Sequence, residues 1–131
     1  MKKLLFVCLI IVFISGNLFS GTITIKSPTS QTKWILGINV KIKWIATGVT
    51  SRTKITLWRG GVFVGVIKDN ILPSPPQVKS TEKSHVWRVG DYIGGKAEPG
   101  KVYTIRIEEK GKSVTESDKY FEITKLKTRK R

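Results

Sequence analysis

Trp58 and Arg59 stand side by side, an indole next to a guanidinium. When exposed, such a pair can stack on a sugar ring. Trp58 takes the opposite phase to Ile55 and Leu57, which predicts that it faces outward, with Phe63 and Tyr92 nearby. The plainer reading is an amphipathic side chain packed on its sheet neighbours. Lys41 and Lys43 alternate with Val40, Ile42 and Trp44, so they point away from a core. Arg88 does the same between Trp87 and Val89, and Lys26 adds to the set. If the strands carrying them pair, one outer sheet face is basic. Such a face either adheres to anionic polymer or is a solvated surface that discourages edge pairing. Lys125, Lys127, Arg129, Lys130 and Arg131 follow with no acid among them. This tail attracts phosphate or acidic sugar in a salt-screened way, or only keeps the chain soluble.

Other chemistries find little material. The chain has one Cys and one His, which argues against the common zinc sites and against Cys–His nucleophilic pairs. Cys8 has no partner for an intrachain disulfide. His85 shares the phase of Trp87 and Val89, which predicts a core residue and not a ligand. Glu108, Glu109, Glu116 and Asp118 cluster around the last hairpin. They could form a carboxylate pair or a calcium site. Without a third anchor or a glycine-rich metal loop, strand and turn electrostatics is the better account. No phosphate loop, nucleophile elbow or metal motif is present. The expectation is a non-enzyme with no cofactor.

The elements that hold these residues begin after a leader. Met1 to Lys3 are basic, Leu4 to Ile14 are eleven consecutive apolar residues, and Ser15 to Gly21 are mostly small or polar. This is the pattern of a secretory signal peptide, and the run is short of the roughly 20 residues of a membrane span. Residues 1–20 are expected to be the signal, residues 21–124 one domain, and residues 125–131 a basic tail. Cleavage would remove Cys8 and leave no membrane anchor. Of the 24 Lys+Arg, seven belong to the leader or the tail, so the formal net charge of +15 overstates that of the domain. Export also argues against an intracellular nucleic-acid partner.

From Gly21 on, the apolar period is two. Ile23 and Ile25, Val40 to Trp44, Ile55 and Leu57, Trp87 and Val89, Tyr103 to Ile107, and Phe121 and Ile123 each alternate with polar residues. These β-branched and aromatic runs predict half-buried strands. Ser27-Pro28, Leu36-Gly37, Thr47-Gly48, Gly60-Gly61 and Pro99-Gly100 punctuate them. About seven strands at this spacing predict an all-β, immunoglobulin- or fibronectin-like antiparallel sandwich. Gly60-Gly61 is expected to turn a hairpin into Val62 to Ile67. Asn70 to Lys83, with Leu72-Pro73-Ser74-Pro75-Pro76, is expected to be an exposed loop. Trp34, Trp44 and Trp87 are expected in the core.

The ordered string Ser27-Pro28, Trp34-Ile35-Leu36-Gly37, Ile42-Lys43-Trp44-Ile45-Ala46-Thr47-Gly48, Ile55-Thr56-Leu57-Trp58, His85-Val86-Trp87 and Ser117-Asp118-Lys119-Tyr120-Phe121-Glu122-Ile123 has a counterpart. It resembles the Ser-Thr-rich glycosylphosphatidylinositol-anchored membrane family, which includes the N-terminal domain of yeast cell-wall synthesis proteins of the Kre/Knh type. The resemblance runs from Ile23 to Ile123. It implies an exported immunoglobulin-like sandwich that works at the cell surface or in the wall, and it brings no catalytic residues. The chain shows no Ser/Thr-rich stalk and no Asn-x-Ser/Thr acceptor, so a bacterial secreted member is expected. The expected partners are anionic cell-surface polysaccharide or lipid headgroups. Alternatives are a neutral-glycan module using Trp58 and an assembly subunit that pairs through a sheet edge.

Overall fold

Alternation of branched or aromatic residues with polar ones produces strands throughout the described chain. The computed structural model describes residues 21–75, 80–110, 114–116 and 120–127, with residues 114–116 as backbone alone. The expected signal peptide with Cys8, and likewise Asp118, Arg129, Lys130 and Arg131, lie outside the described residues.

The strands are β1 (Thr22–Ser27), β2 (Lys33–Ile35), β3 (Asn39–Thr47), β4 (Thr53–Arg59), β5 (Val62–Ile71), β6 (Ser80–Arg88), β7 (Asp91–Tyr92), β8 (Gly95–Lys96), β9 (Gly100–Glu109), β10 (Val114–Glu116) and β11 (Phe121–Thr124). They form a three-stranded sheet in the order β1-β3-β6 and a six-stranded sheet in the order β2-β11-β9-β4-β5, with β10 also on β9. Strands β7 and β8 make a small separate hairpin. The inward residues of both large sheets merge into one core, with Ile42, Trp44 and Trp87 from one and Ile55, Leu57, Tyr103, Ile105 and Phe121 from the other. Two such sheets facing each other across an alternating core are an immunoglobulin-like β-sandwich. Tyr103, near the start of β9, donates its hydroxyl to the Glu98 carbonyl, the tyrosine-corner arrangement of this architecture.

Trp44 and Trp87 are buried as expected. Trp34 is half-buried on β2 and packs edge-on against Trp87 and Phe121, with ring centroids 5.9 and 5.5 Å apart. The expected hairpin at Gly60-Gly61 is present, both glycines having positive φ.

Two expectations are corrected. The loop foreseen from Asn70 to Lys83 is shorter, because β5 runs to Ile71 and β6 begins at Ser80. Partner strands extend both: Thr53 pairs with Ile71, and Thr47 pairs with Ser80. Asn70 absorbs the local bend with φ 54°, a conformation that Asn tolerates better than most residues. The sheets are also not wholly antiparallel, since β2 runs parallel to β11.

His85 lies on the inward phase of β6 and is half-buried. Burial lowers its pKa from the ordinary 6.5, and the charge of Lys68 lowers it further. The folded state therefore resists protonation. Its contribution to stability is full above pH 6.5 and is lost as pH falls through the folded value. Urea denaturation at about pH 7 and pH 5 is expected to show less acid sensitivity in His85→Gln than in the parent.

Candidate functional site

Lys41 and Lys43 are exposed on the outward phase of β3, the central strand of the three-stranded sheet. Register places Lys41 opposite Val86 and Lys43 opposite Ser84. Arg88, two residues beyond Val86 on the same face, is therefore a diagonal neighbour of Lys41, about 7–8 Å away. Lys26 is exposed on β1, at the irregularity where Ile25 pairs with Trp44 and Ser27 with Lys43. The pairing of the strands that carry these cations thus brings them together. Glu82 is exposed on the same phase, opposite Ile45. Beside these charges the face carries the exposed Val86 and the small polar residues Thr22, Thr24, Ser80 and Ser84. It can meet an extended anion over several contacts.

Trp58 and Arg59 do not form one site. Consecutive residues of a strand point to opposite faces. Arg59 takes the phase of Leu57, and its guanidinium lies 5.2 Å from the Tyr103 ring centroid. Trp58 faces outward on the opposite sheet from Lys41. There the cation is Arg106, whose Cζ lies 3.6 Å from the indole centroid. Register explains this, because Thr56 pairs with Arg106 and Trp58 with Thr104, two residues further along the same strands and on the same face. The indole Nε1 donates to Thr56 Oγ1 at 2.8 Å. Phe63, from the far side of the hairpin, meets the indole edge-on at 5.4 Å. Thr56 and Thr104 are buried although they face outward, because this cluster covers them. Tyr92 lies elsewhere, against Gly65, whose register partner is the inward-facing Leu57.

One face of Trp58 is thus held by a guanidinium, which is worth about 0.5–2 kcal/mol. Arg106→Ala is expected to cost about 1 kcal/mol of stability and to shift the tryptophan emission to the red. Unchanged emission would show that Arg106 does not shield the indole.

The acidic residues are spoken for locally. Glu108 faces outward and pairs with Lys54 at 3.1 Å. Glu109 is buried, and its Oε2 accepts the backbone N–H groups of Thr50 and Ser51 at 3.2 and 3.0 Å. Both glutamates line one polar pocket with Arg52, Lys54, Asp69 and Asn70, but they leave β9 on opposite faces and each carboxylate is engaged by a protein partner. The side chain of Glu116 and all of Asp118 lie outside the described residues. Among the described residues, no group of three His, Cys, Asp or Glu side chains is placed to hold a metal ion. Lys125 and Lys127 are exposed beyond β11, while the rest of the basic tail lies outside the described part.

No family model and no curated protein matches the chain. Among solved structures, the fibronectin(III)-like modules of Clostridium thermocellum CbhA align over 80% of this chain, at 14% identity and TM-score 0.42. The chain spans 47% of that chain's length. A complex of Dpr1 IG1 with DIP-eta IG1 aligns over 84% of this chain and 99% of that one, at 9% identity and TM-score 0.36. Likeness at this level says nothing about ligands, and the fold assignment stands on the strand order and core described above.

Proposed function

We propose that the protein is an exported, non-enzymatic immunoglobulin-like module that attaches to anionic polymer at the cell surface through the outward face of its three-stranded sheet. The observation that carries this reading is the gathering of exposed Lys41, Lys43 and Arg88 on adjacent strands, with Lys26 at the margin and Glu82 as the acid on the same phase. The leader pattern and the family resemblance support export, and the basic tail adds attraction of the same sign. The partner is an acidic polysaccharide or a layer of lipid headgroups, recognised through spaced negative charge. Binding to dextran sulfate and to anionic vesicles at low salt, released by 0.5 M NaCl, tests the reading. Failure to bind either probe at low salt would sink it.

The neutral-glycan alternative on Trp58 stands second. Arg106 occupies the ring face described above, so a sugar stacking there has to displace a guanidinium. Salt-insensitive glycan binding that is lost in Trp58→Ala would move this reading ahead.

A further inference from the structure

A groove of about 390 Å³ lies where β2, β9 and β11 meet, on the sheet opposite the basic face. Its lining includes Tyr120, Lys33, Lys101, Glu122, Thr32 and Val102. Its volume falls within the roughly 300–1,000 Å³ of small-ligand pockets. Tyr120 is 53% exposed, so an aromatic ring stands at the wall of a depression whose lining mixes apolar Val102 and Phe121 with hydroxyls and charges.

The groove owes its form to a break in the ladder. Tyr103 pairs with Phe121 and Gly100 with Ile123, so Lys101 and Val102 together stand against Glu122 alone. Such a bulge re-aims side chains at the edge of a site. It is accommodated by Val102 at φ 64°, in a region that a β-branched residue strongly avoids. The carbonyl of Val102 is held by the Gly60 N–H at 2.8 Å. Backbone strain of this kind persists only where its surroundings enforce it, and it gathers at functional sites. Here its effect is to turn Lys101 and Val102 out beside Tyr120.

We propose that this groove binds a single acidic sugar residue, a pyranose carrying a carboxylate. A pyranose has an apolar ring face suited to Tyr120 and a rim of hydroxyls suited to Thr32 and Glu122. Lys33 is the register partner of Glu122 on the adjacent strand, and that opposite-charge neighbour balances it. Among the described residues of the lining, Lys101 is then the cation left to meet the ligand's carboxylate. A bare inorganic anion would use the lysines but not the aromatic wall. The site lies on other strands than Lys41, Lys43 and Arg88 and does not rest on them.

The test is amide NMR of the ¹⁵N-labelled protein titrated with D-glucuronate, D-glucose and inorganic phosphate. Glucuronate is expected to shift the amides of Lys33, Lys101, Val102, Tyr120 and Glu122 together and saturably, with millimolar affinity of about 4 kcal/mol. Tyr120→Ala is expected to weaken this about ten-fold, and Lys101→Gln to remove the preference for glucuronate over glucose. Lys41→Gln/Lys43→Gln/Arg88→Gln is expected to leave it unchanged. The proposal is overturned if the shifts do not cluster or do not saturate. It is also overturned if phosphate reproduces them, or if Tyr120→Ala binds as the parent does. Tyr120 and Lys101 are exposed, so both variants are expected to fold, and the dispersion of the amide spectrum checks this directly.

Discussion

Trp44→Ala is expected to cost about 3–5 kcal/mol, read as a fall in the urea midpoint at constant slope. Against a total stability of about 5–15 kcal/mol for a domain of this kind, much of the variant would be unfolded. The reason is position as well as size. Trp44 is 1% exposed and sits on the central strand of its sheet, in register with Ile25 on one side and Lys83 on the other. Truncation there opens a void that both sheets line. A finer comparison separates packing from hydrogen bonding. The Trp44 Nε1 is buried without a hydrogen-bond partner, whereas the Trp87 Nε1 donates to the Asp91 carbonyl at 2.7 Å. Trp44→Phe therefore removes a buried unpaired donor along with some volume, while Trp87→Phe also strands an acceptor. Trp87→Phe is expected to be the worse of the two by about 1 kcal/mol. The opposite order, or an unchanged midpoint in Trp44→Ala, would refute this account of the core.

Much of that core was legible in the sequence because alternation reveals facing. Ile42, Trp44, Ile55, Leu57, Ile105 and Phe121 share inward phases in their strands, and all are buried. The outward placement of Lys41, Lys43 and Arg88 follows from the same parity. What alternation cannot give is register, which is set by pairing between distant segments. Arg106 reaches Trp58 only because Thr56 on β4 pairs with Arg106 on β9, and nothing in either segment alone announces it. Adjacency in the chain instead suggested Arg59, which strand geometry sends to the other side. Bulges hide further. The irregularities at Lys26, Val64 and Val102 each interrupt the period of two, and the groove beside Tyr120 depends on the last of them. Strand β2 has three residues, too few to show any period, so its parallel pairing with β11 could not be read either.

Neutralising the basic face is expected to have the largest effect on binding. Each Lys or Arg near an anionic lipid surface contributes about 1 kcal/mol. Lys41→Gln/Lys43→Gln/Arg88→Gln is therefore expected to weaken binding to phosphatidylglycerol vesicles about 100-fold at low salt. On dextran sulfate the same variant is expected to lower the slope of log affinity against log salt by about 2–3, because fewer counterions are released. All three residues are exposed on the outward face, so the fold is expected to survive their replacement. Lys54→Gln supplies the control: it removes a cation from the other sheet, where Lys54 is already paired with Glu108 at 3.1 Å, and it is expected to change neither quantity. Truncation after residue 124 separates the tail from the face. If truncation abolishes binding while the triple variant binds as the parent does, the attachment belongs to the tail and the face is an ordinary solvated surface. If the triple variant loses vesicles but keeps dextran sulfate, the partner is a headgroup layer; the reverse pattern assigns the face to an extended acidic chain, whose repeated charges follow the diagonal set by Lys41 and Arg88.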